Sequence, residues 1–158
     1  HFYRVDDPYG FFSNFSPHPV WIDGLRWPTT EHYFQAQKFA GTPDAEAIRG
    51  AASPMQAAKM GRDRMRKLRS DWETVKLEVM REALRAKFTQ HPDLRAALLA
   101  TGDARLVEHT GNDRFWVDGG DGKGKNSLGK LLMELREMLG SARQINEPLF
   151  PAPRRPTD

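Results

Sequence analysis

The stretch WPTTEHYFQAQKF, Trp27 to Phe39, decides the fold, because it combines a helix start with a row of polar side chains set among aromatic ones. Either of its threonines can cap free backbone N–H groups, and an acidic residue suits the first turn of a helix. On a helix, Glu31, Gln35 and Lys38 fall on one stripe, since they are four and then three residues apart. The spacing is compatible with two interpretations, a pocket lined by a carboxylate, an amide and an ammonium group, or a partly exposed helix with ordinary acid–base pairing.

A β-hairpin is predicted immediately before this helix. The β-prone runs Val20–Ile22 and Leu25–Trp27 flank Asp23-Gly24, a dipeptide typical of type I′ turns. Two further short strands are predicted, one over Phe2–Val5 and one over Arg105–Thr110. The sequence therefore favours a small sheet built from the N-terminal strands and the 105–110 strand.

Most of the remaining chain is predicted to be helical. Pro follows a capping residue at Thr42 and at Ser53, which marks two helix starts. Ser70 and Glu73 form a capping box at the start of a long amphipathic helix. A last helix is predicted over 127–139, with Gly140 after it as its end. The fold class expected is α+β and predominantly helical, with one domain over residues 1–140 and a proline-rich tail over 141–158.

Composition limits the functions that the chain can have. It has 158 residues, a net charge of +3, a pI near 9.3 and no cysteine, so disulfides, thiolate nucleophiles and cysteine-based zinc sites are excluded. No apolar run approaches the roughly 20 residues that a membrane span requires. We expect a cytoplasmic protein without membrane association, and the basic pI is compatible with an anionic ligand.

Three polar segments are candidate binding elements. FFSNFSP, Phe11 to Pro17, is either a turn with its aromatic rings buried or a loop that offers an amide and stacking faces to a ligand. The basic run from Arg62 to Arg69 is either a solvated face or a phosphate clamp. The glycine-rich segment 111–126 lacks periodicity, and backbone N–H groups in such a segment can approach an anion closely.

Common nucleotide and metal motifs do not fit this sequence. Gly124 to Lys130 matches GxxxxGK, but Leu131 replaces the Ser or Thr that binds magnesium in a P-loop, and no buried parallel strand precedes it. The histidines show no HExxH spacing. We therefore predict no nucleoside triphosphatase, no metal site and no cofactor.

Taken together, these segments resemble the NADAR family, also called YbiA-like or DUF1768. The matching segments occur in the family's order and cover nearly all of residues 2–139. One departure is Val117, because the family usually has glycine directly after the tryptophan at this point. The segments are FFSNFSP (Phe11–Pro17), RWPTTEHYFQAQKF (Arg26–Phe39), RSDWETVKLEVMREALRAKF (Arg69–Phe88), LLATGDARLVEHT (Leu98–Thr110) and DRFWVDGGDGKGKNSLGKLLMELR (Asp113–Arg136).

The resemblance implies an N-glycosidase that hydrolyses a ribose C1–N bond. It favours removal of ADP-ribose from ADP-ribosylated guanine in DNA or RNA, as in antitoxins paired with an ADP-ribosyltransferase toxin. The alternatives are cleavage of ribosylamino-pyrimidine phosphates of riboflavin biosynthesis, and a non-catalytic sensor that binds ADP-ribose or NAD. All three predict an ADP-ribose-type or related phosphorylated ligand.

With that chemistry implied, Glu31, Lys38 and Asp113 are the candidate catalytic residues. Either a carboxylate stabilises positive charge at C1 and orients water, or a neutral Lys38 forms a Schiff base with the ring-opened sugar. Other side chains would stack on the ligand, bind its ribose or hold its phosphates. These predicted ligand-binding residues are Asn14, Phe15, Trp27, Gln35, Arg69, Trp72, Trp116, Asp118, Gly119, Gly120, Gly124 and Asn126.

Overall fold

A computed structural model describes residues 1–145, with side chains described as far as Ala142. This part of the chain falls into two units, one formed by residues 17–87 and the other by residues 1–16 with those from 88 onward. It is α+β and mainly helical, as predicted. Its elements are strands β1 (Val20–Ile22) and β2 (Leu25–Trp27) and helices α1 (Thr30–Gln37), α2 (Pro43–Arg49), α3 (Pro54–Gly61), α4 (Trp72–Gln90), α5 (Pro92–Ala100) and α6 (Ser127–Ile145).

The hairpin prediction is confirmed. β1 and β2 pair antiparallel, with Val20 opposite Trp27 and Ile22 opposite Leu25. Asp23 and Gly24 both have positive φ, 52° and 78°, as a type I′ turn requires. The turn therefore sets the register that delivers the chain to the start of α1.

Helix α1 begins where its capping residue predicts. Thr29 is the N-cap, and its hydroxyl oxygen accepts a hydrogen bond from the backbone N–H of His32. The buried His32 ring connects this helix start to the segment between α2 and α3. Its Nε2 donates to the carbonyl oxygen of Ala51 at 3.0 Å, and its Nδ1 lies 2.8 Å from the Thr29 hydroxyl. The ring therefore bridges two segments of the chain.

This buried ring predicts a pH-dependent stability. Burial lowers the pKa of His32 below its ordinary value of 6.5. The unfolded chain therefore binds more protons than the folded protein, so this contribution to stability is lost as the pH falls below about 6.5. We expect the free energy of unfolding to decrease between pH 7.5 and 5.5, and we expect His32→Gln to show a smaller decrease. Urea unfolding at the two pH values measures both, and equal decreases in the two proteins would contradict the assignment.

The core of the 17–87 unit surrounds α1. Helix α1 packs on α2, α3 and β2. The ring of Trp27 lies 5.2 Å from that of Tyr33 in an edge-on arrangement, and the Tyr33 hydroxyl donates to Glu82 on α4 at 2.9 Å. Burial of these side chains fixes the orientation of α1. The buried cluster consists of Val20, Ile22, Trp27, Tyr33, Ala36, Phe39, Ile48, Ala57, Ala83 and Ala86.

The second unit corrects the predicted sheet. Residues 2–5 and 105–110 do not form regular strands; a single parallel bridge joins Phe2 to Glu108, and it does not belong to the β1–β2 sheet. The Phe12 ring, 5.5 Å from Phe2 and 5.9 Å from Phe88, anchors this segment instead. The bridge has two backbone hydrogen bonds, from the Phe2 N–H to Val107 and from the His109 N–H to Phe2. Burial of Phe2, Leu106 and Val107 accounts for the apolar pattern of the two segments.

Helix α6 is longer than predicted. It continues through Gly140 to Ile145, five residues into the segment assigned to the tail, and Gly140 does not have positive φ. Leu139 and Ala142 are buried, and α5 packs against α6. This packing outweighs the roughly 1 kcal/mol by which glycine disfavours a helix. The rest of the predicted tail, residues 146–158, lies outside the described residues.

None of the helices in residues 1–145 is both long enough and apolar enough to cross a membrane.

Candidate active site

The polar stripe on α1 forms a connected group in the structure. Glu31 and Gln35 are both buried, and Gln35 Nε2 donates a hydrogen bond to Glu31 Oε1 at 2.7 Å. Lys38 follows the last residue of α1, and its Nζ donates to the carbonyl oxygen of Gly61 at 3.3 Å. The stripe is therefore not a partly exposed helix face, because Glu31 and Gln35 are buried. Lys38 lines the cavity described below, but Glu31 and Gln35 are not among its lining residues, so a pocket lined by all three groups stays a prediction.

Two aromatic rings flank the Lys38 amine. The Nζ atom lies 5.9 Å from the ring centroid of Phe34 and 5.9 Å from that of Trp72. The two rings are 5.2 Å apart, and both side chains are buried. Their faces attract the charged amine, but they also exclude water that would solvate it.

The Glu31 carboxyl is held towards its protonated form. Burial raises its pKa above the ordinary value of 4.5, although the Gln35 hydrogen bond and the positive charges of Arg62 and Lys38 act in the opposite direction. A buried carboxyl with a raised pKa can donate a proton near neutral pH. This is the property that a general acid requires.

The Lys38 amine is held towards its neutral form. Burial lowers its pKa below 10.5; the Glu31 charge opposes this effect, and the positive charge of Arg62 adds to it. The opposing influence of Glu31, expected from their common stripe, is therefore outweighed by desolvation. The pKa of Glu31 is raised and that of Lys38 is lowered, so the two values lie closer together than usual. Such shifts are expected of an acid and a nucleophile that work as a pair.

A cavity of about 480 Å³ opens beside Lys38 within the same unit. Aromatic side chains form its wall, and the segment between α3 and α4 forms its rim. The polar rim and apolar wall suit a ligand with a flat base and an anionic group. The lining residues are Lys38, Phe39, Gly61, Arg62, Asp63, Arg64, Arg66, Leu68, Trp72 and Glu73.

The arginines of the rim differ in their availability. Arg62 and Arg64 are exposed, and neither forms an ion pair with any residue in the described part of the chain. Arg66 pairs with Asp44 and, at 3.6 Å, with Asp63. The first two are therefore the cations that an incoming phosphate can reach without displacing a carboxylate.

Arg69, the arginine selected from the sequence, is engaged elsewhere. Its Nε and Nη2 donate to the two carboxylate oxygens of Asp71 at 2.6 and 3.0 Å, and its Nη1 donates to the carbonyl oxygen of Gln37. It does not line the cavity. Its side chain instead fixes the approach to α4, so a phosphate could reach Arg69 only by displacing the Asp71 carboxylate.

Trp27 is also placed differently from the prediction. The side chain is 5% exposed and belongs to the buried cluster around α1, where it packs on Tyr33. A ring in that position cannot stack on a ligand without opening the core. The sequence around Trp27 does not show this burial, because a tryptophan next to a polar stripe has the same local pattern whether it lies in the core or in a pocket.

In the other unit, the aspartates of the glycine-rich segment are hydrogen-bonded to that segment and to the residues just before it. Asp113 Oδ1 accepts from the backbone N–H groups of Phe115 and Trp116. Asp118 Oδ1 accepts from the N–H groups of Thr110 and Gly120, and its Oδ2 accepts from His109 Nδ1 at 2.6 Å. The bond from His109 is the main reason that the pKa of Asp118 is lowered.

Asn126 and the predicted glycines have structural tasks as well. The buried Asn126 amide donates to the carbonyl oxygen of Leu106 and accepts from the N–H of Glu108, so its side-chain groups are already paired. A Cβ at position 124 would lie 2.4 Å from the carbonyl oxygen of Val117, so only glycine fits there. Gly119 and Gly120 have positive φ, 74° and 77°. These contacts explain the residues without a ligand.

The remaining predicted residues lie in the FFSNFSP segment, Phe11 to Pro17, and in the glycine-rich segment. Asn14 is buried, Phe15 is half-buried, and the Phe15 N–H donates to the Ser13 hydroxyl at 3.2 Å. Trp116 is half-buried and packs edge-on against Phe115. Val117, at the position where the family usually has glycine, is buried. Within residues 1–145, no three His, Asp or Glu side chains are grouped so that they could hold a metal ion.

Two residues that line the cavity, Gly61 and Arg62, are not among the individually predicted ligand-binding residues. Arg62 belongs to the basic run, and its nearness to α1 was the missing information. Gly61 had no signal in the sequence, because a single glycine near a helix end is ordinary. Its importance depends on what lies opposite its missing side chain.

Comparison with known proteins gives matches over most of the chain. A family model described as the NADAR domain matches residues 1–140. Over 138 residues the chain is 64% identical to N-glycosidase YbiA of Escherichia coli, covering 87% of this chain and 86% of that protein. It is 45% identical over 139 residues to the riboflavin biosynthesis protein VVA0006 of Vibrio vulnificus, covering 88% of this chain but 38% of that protein. The NMR structure of E. coli YbiA superposes with a TM-score of 0.85 at 59% identity, covering 93% and 88% of the two chains.

Proposed function

Because the chain belongs to the NADAR domain family and is an N-glycosidase, we propose that it hydrolyses the bond between C1 of a phosphorylated ribose and the nitrogen of a base. The observation that carries this proposal is the pair formed by Glu31, which is buried on α1, and Lys38, which follows α1 and lines the cavity. The pKa of the carboxyl is raised and that of the amine is lowered, each mainly by burial. The enzyme assignment replaces the non-catalytic sensor considered from the sequence.

The proposed reaction uses the amine as nucleophile and the carboxyl as acid. The sugar ring first opens: the C1–O4′ bond breaks, Glu31 gives its proton to O4′, and C1 becomes an iminium carbon bonded to the base nitrogen. Neutral Lys38 Nζ adds to C1, Glu31 carries one proton from the added amine to the base nitrogen, and the C1–N bond to the base breaks, which leaves a protonated Schiff base. Water then adds at C1, one of its protons passes through Glu31 to Nζ, and the C1–Nζ bond breaks. The other proton of the water returns Glu31 to its acid form, and the sugar leaves as its ring-opened aldehyde.

For the substrate, we propose a ribosylamino-pyrimidine phosphate. The relative from Vibrio vulnificus is named as a riboflavin biosynthesis protein, and a relative from Zea mays carries a similar name. A cavity of about 480 Å³ suits a ligand the size of one nucleotide. The two unpaired arginines, Arg62 and Arg64, would hold its single phosphate. This order is the reverse of the one that the family resemblance favoured.

The second candidate is ADP-ribosylated guanine in nucleic acid. The exposed arginine rim favours it, because Arg62 and Arg64 are directed to solvent and Lys67 is exposed in the same segment. A diphosphate or a nucleic-acid backbone would have cations available there. An ADP-ribosyltransferase would supply such a substrate, in which case the protein would act as its antitoxin.

A side-by-side assay separates the two substrates. The protein would be incubated with a ribosylamino-pyrimidine 5′-phosphate and with an oligonucleotide carrying ADP-ribosylated guanine, and released ribose 5-phosphate and ADP-ribose would be quantified. We expect kcat/KM to be at least tenfold higher for the first. A higher value for the oligonucleotide would establish the second candidate, and no release from either would reject the reaction.

Arg62 provides a specific prediction. We expect Arg62→Gln to lower kcat/KM about tenfold, mainly through KM, because a charged phosphate contact is lost. Its positive charge also lowers the pKa of both Glu31 and Lys38. The limbs of the pH–rate profile should therefore move to higher pH. Initial rates measured over a range of substrate concentration and pH test both effects.

Lys67→Gln is the matched control. It removes the same charge from an exposed position in the same segment, but Lys67 does not line the cavity. We expect its kinetics to stay within about twofold of wild type. If Lys67→Gln reproduced the effect of Arg62→Gln, net charge rather than a local phosphate contact would explain both.

A further inference from the structure

Gly61 lies at the end of α3 and contacts both Lys38 and Gln35. Its carbonyl oxygen accepts the hydrogen bond from Lys38 Nζ at 3.3 Å. The position of its missing side chain faces Gln35, whose Nε2 holds Glu31 at 2.7 Å. One residue is therefore linked to the amine directly and to the carboxyl through a single side chain.

The space opposite Gly61 is completely filled. A Cβ built at position 61 would lie 1.9 Å from Gln35 Oε1, 2.7 Å from its Cδ and 3.0 Å from its Cβ. Gln35 is 4% exposed, so its amide cannot move into solvent to make room. An alanine at position 61 must therefore displace the Gln35 amide from its present place.

Helix geometry does not explain this glycine. Gly61 is part of α3 and is not among the residues with positive φ, so its backbone conformation is open to any residue. In a helix, alanine is more favourable than glycine. The contact with Gln35 is thus the physical reason for glycine at this position.

The position of the Gln35 side chain costs free energy, because one of its polar atoms is buried without a hydrogen bond. Its Oε1 is buried and accepts no hydrogen bond from the described residues. Unpaired buried oxygens are rare, and they are tolerated where a side chain is fixed for another purpose. Here the fixed part is the other end of the amide, which donates to Glu31.

We infer that Gly61 is a positioning residue for this enzyme, whose missing side chain seats the Gln35 amide so that it orients the Glu31 carboxyl, while its carbonyl oxygen orients the Lys38 amine. The kinetic consequence rests on the proposed function. The geometric consequence, the state of the Glu31 carboxyl, does not.

The test is a double-mutant cycle of Gly61→Ala and Gln35→Ala. We expect Gly61→Ala to lower kcat/KM ten- to a hundredfold and to move the titration of the Glu31 carboxyl, followed by ¹³C NMR, to higher pH. Gln35→Ala should move it in the same direction, because the hydrogen bond from Gln35 lowers the pKa of Glu31. Gly61→Ala should cost much less in the Gln35→Ala background than in wild type, since the amide that an alanine at 61 displaces is then gone and only the contact with the Cβ of residue 35, at 3.0 Å, remains.

Gly50→Ala is the matched control, because Gly50 also ends a short helix and a Cβ there would have its nearest neighbours at 3.7 Å. It should leave the kinetics and the titration unchanged. The inference is overturned if Gly61→Ala leaves the titration of Glu31 in place, or if it costs as much in the Gln35→Ala background as in wild type. Should Gly61→Ala alone fail to fold, the double variant must fold. If wild type turns over neither substrate, the proposed function fails, and the NMR titration still decides the inference.

Discussion

Lys38→Ala is expected to lower turnover by at least about a thousandfold, because it removes the atom that forms the bond to C1. The loss should appear in kcat, since the cavity wall of Phe39 and Trp72 and the rim of Arg62 remain to bind substrate. Single-turnover release of the base from a ribosylamino-pyrimidine phosphate measures the chemical step. Lys59→Ala, at an exposed position on α3, should keep wild-type activity.

The nature of the step is tested by Lys38→Arg and by borohydride. Arginine keeps a positive charge but cannot form the Schiff base, so Lys38→Arg should be as inactive as Lys38→Ala. Adding borohydride during turnover should reduce the Schiff base and leave a sugar-sized mass increase on the peptide that contains Lys38. Substantial activity in Lys38→Arg, without trapping in wild type, would assign the reaction to direct attack by water instead.

Glu31→Gln is expected to lower turnover by at least about a hundredfold and to stabilise the protein. The amide of the new side chain cannot supply a proton to the leaving nitrogen. The substitution also removes a carboxyl group from a buried position. The oxygen of the new amide can still accept the hydrogen bond from Gln35 Nε2. We expect a gain of about 1–2 kcal/mol in the free energy of unfolding at pH 7, an exchange of stability for activity that is common at such sites.

The pH dependence of that gain follows from the sign of the shift. The folded pKa of Glu31 lies above the ordinary value of 4.5, so the folded protein binds more protons than the unfolded chain, and this contribution to stability falls as the pH rises above 4.5. The advantage of Glu31→Gln should therefore vanish near pH 4 and reach its full size above the folded pKa. A constant difference at all pH values would contradict the assignment of Glu31.

Local chemistry was sufficient to predict the hairpin and the starts of α1 and α3. At α2 the predicted cap is not formed, because the Thr42 hydroxyl donates to the carbonyl oxygen of Phe39 instead. Asp23-Gly24 fixes a turn type by itself, and Thr29 and Ser53 cap their helices as their side chains predict. Helix ends depended on more distant packing. Gly140 was read as a stop because the sequence does not show that Leu139 and Ala142 are buried on either side of it.

For the site, the sequence identified side chains on one helix but not their environment. Helical periodicity alone placed Glu31, Gln35 and Lys38 together, because all three depend on a single repeat. It could not distinguish Arg62 from Arg69, since their difference is set by which carboxylate lies near each guanidinium. Nor could it show that Trp27 belongs to the core, because burial depends on the whole unit.

The contrast between α1 and the segment that follows α3 has a consequence for how this enzyme can change. Side chains from Thr30 to Ala36 are all buried, whereas six of the seven residues from Arg62 to Leu68 are exposed, among them Met65 at 93%. Substitutions in the first segment disturb packing, but those in the second meet mainly solvent and ligand. New substrate preferences are therefore most accessible to evolution, and to a directed library, through the rim, while the chemistry on α1 is inherited almost unaltered.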